Sequence, residues 1–556
     1  IILSRYKFRK DDNMLYKHSK KGNSLDEKIF KNPPSEYRGA PFWAWNCTLE
    51  KDELLRQIGI LKEMGFGGFH MHTRSGMNSP YLSEEFMELV KACEKKAEQE
   101  GMYAYLYDED RWPSGSAGGM VTKNPENRAK FISLTKKEKE DAVDKEEGIK
   151  TGKPYLIGCY DVVLSPEGYL TEYRKIEPTA AAEGAKWYAY VCTPKESGWY
   201  NNQTYIDILS EKAAEDFIKI TYDAYDRAVG EHFDKTVPSM FTDEPQYTFV
   251  FTDGTAKSEN DLTLAWTTDF DDTFCAAYGY SLIDFIPEVR WDKKGGAATV
   301  RYHYFNHLAD RFAGGFVKSC GDWCSRHGIS FTGHLDNEPT LHSQTEGIGD
   351  AMRSYKHFQI PGIDMLCNWL EISTAKQAQS AVHQYGREGM LSELYGVTGW
   401  AFDFRGHKYH GDWQAALGVT LRVPHLSWVS MKGSAKRDYP ASISYQSPWY
   451  KEYSYIEDHF ARLAAVLTRG EAMVNVGVIH PIESYYMIYG ADDLFALKKN
   501  DAQNHFNEII NRLLFGQLDF DFLCEAILPE LYGGSESGLS VGKMNYSAVV
   551  VPELIT

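Results

Sequence analysis

Two short stretches of this chain end in acidic residues in a way that bears on chemistry. In Ser239-Met-Phe-Thr-Asp-Glu-Pro-Gln246 the apolar pair Met240 and Phe241 runs into Asp243 and Glu244, and Pro245 follows. Proline cannot donate to a strand ladder, so the pattern predicts a buried strand that stops at its carboxylates. Gly389-Met-Leu-Ser-Glu-Leu-Tyr395 has the same shape, with Glu393 near its end. Two carboxyl groups at the tips of different strands suit hydrolysis of a glycosidic bond. One protonates the leaving oxygen; the other attacks carbon or activates water. A β/α barrel gathers such tips at one mouth. Glu244 is assigned as general acid and Glu393 as nucleophile or base. Tyr247 would orient one carboxylate, and Asp243 would raise the proton affinity of Glu244 through like-charge repulsion. The alternative is a pair of structural ion-pair carboxylates.

The elements that must position these groups read as eight strand–helix units. Ala40–Asn46 is the first strand, tipped by Trp43, Trp45 and Asn46. A helix from about Leu49 to Met64 follows, with its apolar residues at helical spacing. Gly67–Arg74 is the second strand, and alternation places His70, His72 and Arg74 on one face. Ser83 caps a helix through about Glu100, and Tyr103–Tyr107 leads into a loop with Asp108, Arg111 and Trp112. Strand four carries Asp243 and Glu244. Strand five, Ile329–His334, is tipped by His334, Asp336, Asn337 and Glu338. Strand six, Gly362–Leu366, is tipped by Trp369. Strand seven carries Glu393 and Tyr395, and strand eight, Pro424–Val429, carries His425 and Trp428. Eight such units make a closed (β/α)8 barrel, of α/β class. All these tip residues are candidate sugar contacts, and Glu338 competes with Glu244 and Glu393 for a catalytic role.

The domain reading follows. Residues 1–38 form an extended lead-in and 39–470 the barrel. A β-rich insertion occupies about 125–210, with strands at Lys130–Thr135, Tyr155–Leu164, Trp187–Val191 and Thr204–Leu209. A helical insert spans about 260–326. From 471 to 556 the pattern predicts a smaller Rossmann-like α/β unit, truncated at its end. It has no GxGxxG, so no dinucleotide is expected.

Composition narrows the partners. The formal net charge is −18, which disfavours nucleic acid and anionic membranes. Aromatics make up 14% of the chain, with 13 Trp and 36 Tyr, and rings beside polar groups suit the C–H faces and hydroxyls of sugars. Nine Cys without a CxxC pair suggest reduced thiols and a cytoplasmic setting. No signal peptide or membrane span is read, and a homo-oligomer is left open. His70 and His72 could instead hold a metal in a barrel isomerase or hydrolase. A non-catalytic carbohydrate-binding barrel is the third reading.

Pro41-Phe-Trp-Ala-Trp-Asn46, Gln57, Met64-Gly-Phe-Gly-Gly68 and Tyr107-Asp-Glu-Asp-Arg-Trp-Pro-Ser-Gly115 resemble the opening of glycoside hydrolase family 106, the α-L-rhamnosidases. Tyr205-Ile-Asp-Ile-Leu209 does too. The resemblance covers roughly residues 40–245 and resumes around Glu393. It implies a barrel with two catalytic glutamates, carried over to Glu244 and Glu393, and an inverting mechanism. It also implies a calcium dependence, for which no ligands are matched; no other cofactor is expected. A barrel followed by a Rossmann-like unit is similar to family 42 β-galactosidases. Their wider clan has Asn before the acid of strand four, where this chain has Asp243. The expectation is an exo-acting enzyme that removes a terminal α-L-rhamnoside or another neutral sugar.

Overall fold

Eight apolar runs of four to eight residues, each followed by helix-forming sequence, close into a parallel barrel in the computed structural model. The structure describes residues 15–16, 24–248, 250, 254–534 and 538–555. The barrel strands are β1 (Phe42–Trp45), β2 (Gly68–Thr73), β3 (Tyr103–Tyr107), β4 (Ser239–Thr242), β5 (Ser330–Gly333), β6 (Ile360–Met365), β7 (Met390–Leu394) and β8 (Val419–Pro424). A two-residue continuation, β9 (Ser427–Trp428), extends β8. Neighbours pair in parallel in chain order, and the ring closes where β9 pairs with β1, Trp43 opposite Ser427 and Ala44 opposite Trp428. Strand eight therefore begins at Val419, five residues before the sequence reading, and is broken at His425-Leu426.

Alternation decides which side chains fill the barrel. Phe42, Ala44, Tyr105, Tyr107, Phe241, Leu391 and Val423 pack together in its interior. Trp43 and Trp45, one residue out of phase, belong to the layer between barrel and helices. The helix Lys51–Glu63 supplies part of that layer through Leu54, Ile58 and Leu61. Ser83 accepts from the Phe86 N–H and caps Glu84–Glu100, as the sequence suggests.

The insertion is an antiparallel sheet of five strands. Lys130–Thr135 and Tyr155–Leu164 form as expected, and Ala185–Cys192 covers the expected Trp187–Val191. Thr204–Leu209 does not form a strand; Ile206 makes an isolated bridge to Arg128. Its place beside Lys130–Leu134 is taken by Leu262–Trp266, which lies in the region read as a helical insert. The described part of the lead-in is not extended either: Asp26 caps a helix over Glu27–Lys31 and a 3-10 turn spans Ser35–Tyr37, while residues 1–14 and 17–23 lie outside the described residues.

Beyond 470, Val476–His480, Phe520–Cys524 and Ala548–Val550 form a three-stranded parallel sheet with the first of them in the middle. A 24-residue helix, Asp492–Phe515, connects the first two. Arg353, on a helix after β5, joins this part to the barrel through Glu483 at 3.1 Å and Asp310 at 2.9 Å. All nine cysteines are free thiols. No helix among the described residues is long and apolar enough to cross a membrane.

Candidate active site

The interior positions nearest the C-terminal ends of the strands are nearly all polar. Period two brings His72 and Arg74 from β2, Tyr107 from β3, Asp243 from β4, His334 from β5, Asp364 from β6 and Glu393 from β7 to one mouth. In register, Asp364 stands directly beside Glu393. The Tyr107 hydroxyl donates to Asp243 Oδ2 at 2.5 Å. His334 Nε2 lies 2.8 Å from Glu393 Oε2 and 3.2 Å from Asp243 Oδ1. Two carboxylates facing a bare imidazole lone pair would repel it, so His334 carries its proton on Nε2 and donates. Burial lowers its pKa to about 3, so the ring is neutral. His72 Nε2 is 3.9 Å from Asp243 Oδ2 and His425 Nε2 is 3.8 Å from Glu393 Oε1.

These groups are costly to bury as charges. Burial pushes Asp243 up to about 6, with the Tyr107 hydroxyl and Arg74 pulling it down. Burial, and then the nearby Asp243, Asp336, Asp364 and Glu338, hold Glu244 well above the usual carboxylate range. Glu393 is raised by burial, Asp364, Asp243 and Glu244, but Arg74 opposes the shift. Asp364 is likewise raised, and its Oδ1 is buried with no hydrogen-bond partner among the described residues. Glu244 has a φ of +48°, left-handed backbone that costs a non-glycine residue about 1 kcal/mol or more. The fold holds strain where the chain leaves β4 and turns this carboxyl into the acidic group.

A relay behind Asp243 holds its backbone. Ser114 Oγ donates to Asp108 Oδ1 at 2.6 Å and accepts the Asp243 N–H at 2.8 Å. The Ser114 N–H donates to the Asp243 carbonyl at 2.7 Å, and the Tyr222 hydroxyl donates to Asp108 Oδ2 at 2.9 Å. Next to it, Glu109 accepts five backbone N–H groups, those of Asp110, Gly115, Ser116, Ala117 and Gly118, and so folds the loop onto itself. Ser114→Ala is expected to lower kcat about tenfold with KM within about twofold, because it shifts Asp243 without touching substrate. A raised KM with kcat unchanged would show that Ser114 does not position Asp243.

Several residues read from the sequence as sugar contacts lie elsewhere. Trp43 faces the helical layer and donates from Nε1 to Gln57 Oε1 at 2.9 Å, and Trp45 packs edge-on against it and Phe86. Asn46 clamps the backbone of Ser430 in both directions. His70 points inward but one layer too deep, stacked on Tyr105 with Nδ1 on the Ala40 carbonyl. Asp108 serves the Ser114 relay. Arg111 is spent on Asp110 and Asn201. Tyr247 touches no carboxylate: its hydroxyl donates to the Thr345 carbonyl at 2.8 Å. Tyr395 faces outward and donates to the His407 carbonyl. Trp428 is wholly buried in the barrel interior. Glu338 accepts from the Leu335 N–H and the Tyr355 hydroxyl, each at 3.1 Å, and anchors the loop after β5, where Asn337 bonds Asp336.

Trp112 and Trp369 lie at the rim. Trp112 covers the Arg74 guanidinium at 4.6 Å, and Trp369 is 59% exposed. The sequence reading missed Tyr107 and Asp364. Both lie within the strands read from the sequence; period-two phasing with Tyr105 points to Tyr107, whereas Asp364 stands beside Glu393 only through the pairing of β6 with β7.

The His70–His72 metal reading fails on geometry. Arg74 Nη1 is 3.5 Å from His72 Nε2, a guanidinium where a cation would sit. Among the described residues, one group has metal-type ligand atoms within 4.8 Å of each other: Asp243, His334 and Glu393. Two carboxylates and an imidazole do not fit calcium, which takes six to eight oxygens.

No family model matches the chain. The structure resembles a rhamnosidase from Novosphingobium sp. PP1Y, with a TM-score of 0.66 and 13% identity, over 95% of this chain and 67% of that one. The two chains share the barrel fold. A GH42 β-galactosidase of G. stearothermophilus aligns with a TM-score of 0.47 and 10% identity, over 87% of this chain and 66% of that one. In sequence, a putative β-glucuronidase of Formosa agariphila is 23% identical over 228 residues. That match spans 38% of this chain and 18% of the relative, so the chain covers under a fifth of its length.

Proposed function

We propose that this chain is a glycoside hydrolase that removes a terminal neutral sugar, an α-L-rhamnoside or a related glycoside, with Glu244 as acid and Glu393 as base or nucleophile. The observation that carries the reading is the ring of carboxyl groups at the C-terminal mouth of the barrel, Asp243, Glu244, Asp364 and Glu393, raised in pKa by burial first and then by neighbouring carboxyl groups. Such a ring holds a proton near neutral pH for donation to a leaving oxygen. The two roles divide by neighbours. Glu393 has the His334 N–H and Arg74 to favour its anion, whereas the charged groups nearest Glu244 are carboxylates. The shared proton therefore resides on Glu244.

Charge also favours a neutral sugar over a uronate. Arg74 is the cation of the inner ring, and Asp438 already accepts from its Nε at 3.0 Å. A substrate carboxylate would meet a surplus of acids. Hydroxyls, by contrast, find donors and acceptors on Asp336, Asp364, His72 and His425.

A panel of 4-nitrophenyl glycosides tests the activity and identifies the sugar. Leaving-group dependence tests the acid. Glu244→Gln is expected to lose about a hundredfold or more on a methyl glycoside, and less than about tenfold on the 2,4-dinitrophenyl glycoside, whose leaving group needs no proton. Equal losses on both remove Glu244 from the acid role. No sugar released from any member favours a barrel that binds carbohydrate without cleaving it.

A further inference from the structure

Three loops at the mouth carry large exposed rings. Trp369, in the loop after β6, is 59% exposed; Trp400, after β7, is 56% exposed; Tyr439, after β8, is 47% exposed. The loops are tied together. The Cys367 N–H donates to the Gly396 carbonyl at 2.7 Å and the Gly399 N–H to the Pro440 carbonyl at 3.0 Å. Tyr439 then meets Trp112 edge-on at 5.9 Å, and Trp112 meets Trp199 of the β-rich insertion at 4.9 Å. Ring contacts thus run from the insertion to the loop after β8, Trp400 packs on Trp428 at 5.5 Å, and the backbone bonds carry the rim on to the loop after β6, so these rings together form one aromatic wall. Leu366–Leu370 and Gly396–Phe402 contain no charged residue.

We infer that this wall binds a second sugar on the leaving-group side of the scissile bond, so that the substrate is a sugar chain rather than a monoglycoside. The inference rests on the glycosidase reading above and adds where the rest of the substrate lies. The wall is continuous with the carboxylate ring: the β6 loop leaves from Asp364, the β7 loop from Glu393, and Arg74 lies between Trp112 at 4.6 Å and Tyr439 at 5.9 Å. Trp369, Trp400 and Tyr439 present their rings to solvent on loops that follow the strands carrying the acids. Arg74, paired with Asp438, lies against Trp112 and Tyr439, while the stretches around Trp369 and Trp400 carry no charge; rings so placed suit the C–H face of a neutral pyranose, whose hydroxyls keep its edges in water.

The test compares two substrates of the sugar identified by the aryl panel: its glycosyl fluoride, which has no leaving-group bulk, and the same sugar joined to a glucose disaccharide. In Trp400→Ala and Tyr439→Ala, the ratio of kcat/KM on the oligosaccharide to that on the fluoride is expected to fall about tenfold, mostly through KM. A ratio unchanged in both variants, with both substrates cleaved, overturns the wall and leaves the glycosidase reading standing. Sedimentation of each variant is the control. A shift from dimer to monomer with the ratio unchanged assigns the rings to a contact between copies of the chain and overturns the inference. Failure of the wild type to cleave either substrate overturns the glycosidase reading, and this inference with it.

Discussion

Glu393→Gln is expected to lower kcat by at least about a thousandfold on the glycoside that the wild type cleaves, about 4 kcal/mol of transition-state stabilisation. Glutamine keeps the shape, and its carbonyl can still accept the His334 N–H that now meets Glu393 Oε2 at 2.8 Å. What disappears is the negative charge opposite the developing oxocarbenium ion, together with the lone pair that attacks carbon or takes a proton from water. The loss should fall on kcat and kcat/KM alike, because the interaction exists only in the transition state. Melting temperature serves as the folding control, and removing a buried charge should not lower it. NMR of the first anomer formed by the wild type then separates retention from inversion. Should the variant keep more than about a tenth of kcat, Glu393 is not the catalytic base or nucleophile, and Asp364, its neighbour in register, takes its place as the candidate.

Asp243→Asn is expected to gain stability relative to the wild type as pH rises. Asp243 is buried, and its pKa is raised from 3.8 to about 6. Between those values the folded protein holds the proton more tightly than the unfolded chain does. The contribution is therefore favourable below about pH 4, falls as pH climbs through 6, and stays at its minimum above. Two pKa units correspond to about 3 kcal/mol. Asparagine does not titrate, so the difference in unfolding free energy, variant minus wild type, should rise by about 2–3 kcal/mol from pH 4 to pH 8. Any constant offset from altered contacts to Tyr107 or His334 cancels in that comparison. Denaturant melts at the two pH values measure it. A difference that is flat with pH would mean that Asp243 is already ionised at pH 4, held by Tyr107 and Arg74 more strongly than burial opposes it. The same variant should lose activity, which would make the site an example of function held at the expense of stability.

Much of the fold was legible because its signals are local. The Ser83 cap and the helical spacing of Leu54, Ile58 and Leu61 depend on a few neighbouring residues, and the structure has them as read; the strand before Pro245 forms too, but ends at Thr242, short of its carboxylates. Errors arose where pairing partners come from far along the chain. Thr204–Leu209 and Leu262–Trp266 are both short apolar runs, and only the second finds an open edge, against Lys130–Leu134.

The sequence by itself determined the chemical inventory: carboxylates at the ends of strands four and seven, inward phasing of His72 and Arg74, and aromatic residues in the loops. It could not say which face of a strand buried on both sides looks into the barrel, because such strands lack polar alternation. That is why Trp43 and Trp45 read as mouth residues and proved to be core. Nor could it give depth. His70 and His72 share a face, yet the stagger of the strands puts only His72 beside Asp243. Closure of the ring alone brings residues 72, 107, 243, 334, 364 and 393 to one place. Their shared burial, which no local pattern encodes, raises the carboxyl pKa values on which the proposed chemistry depends.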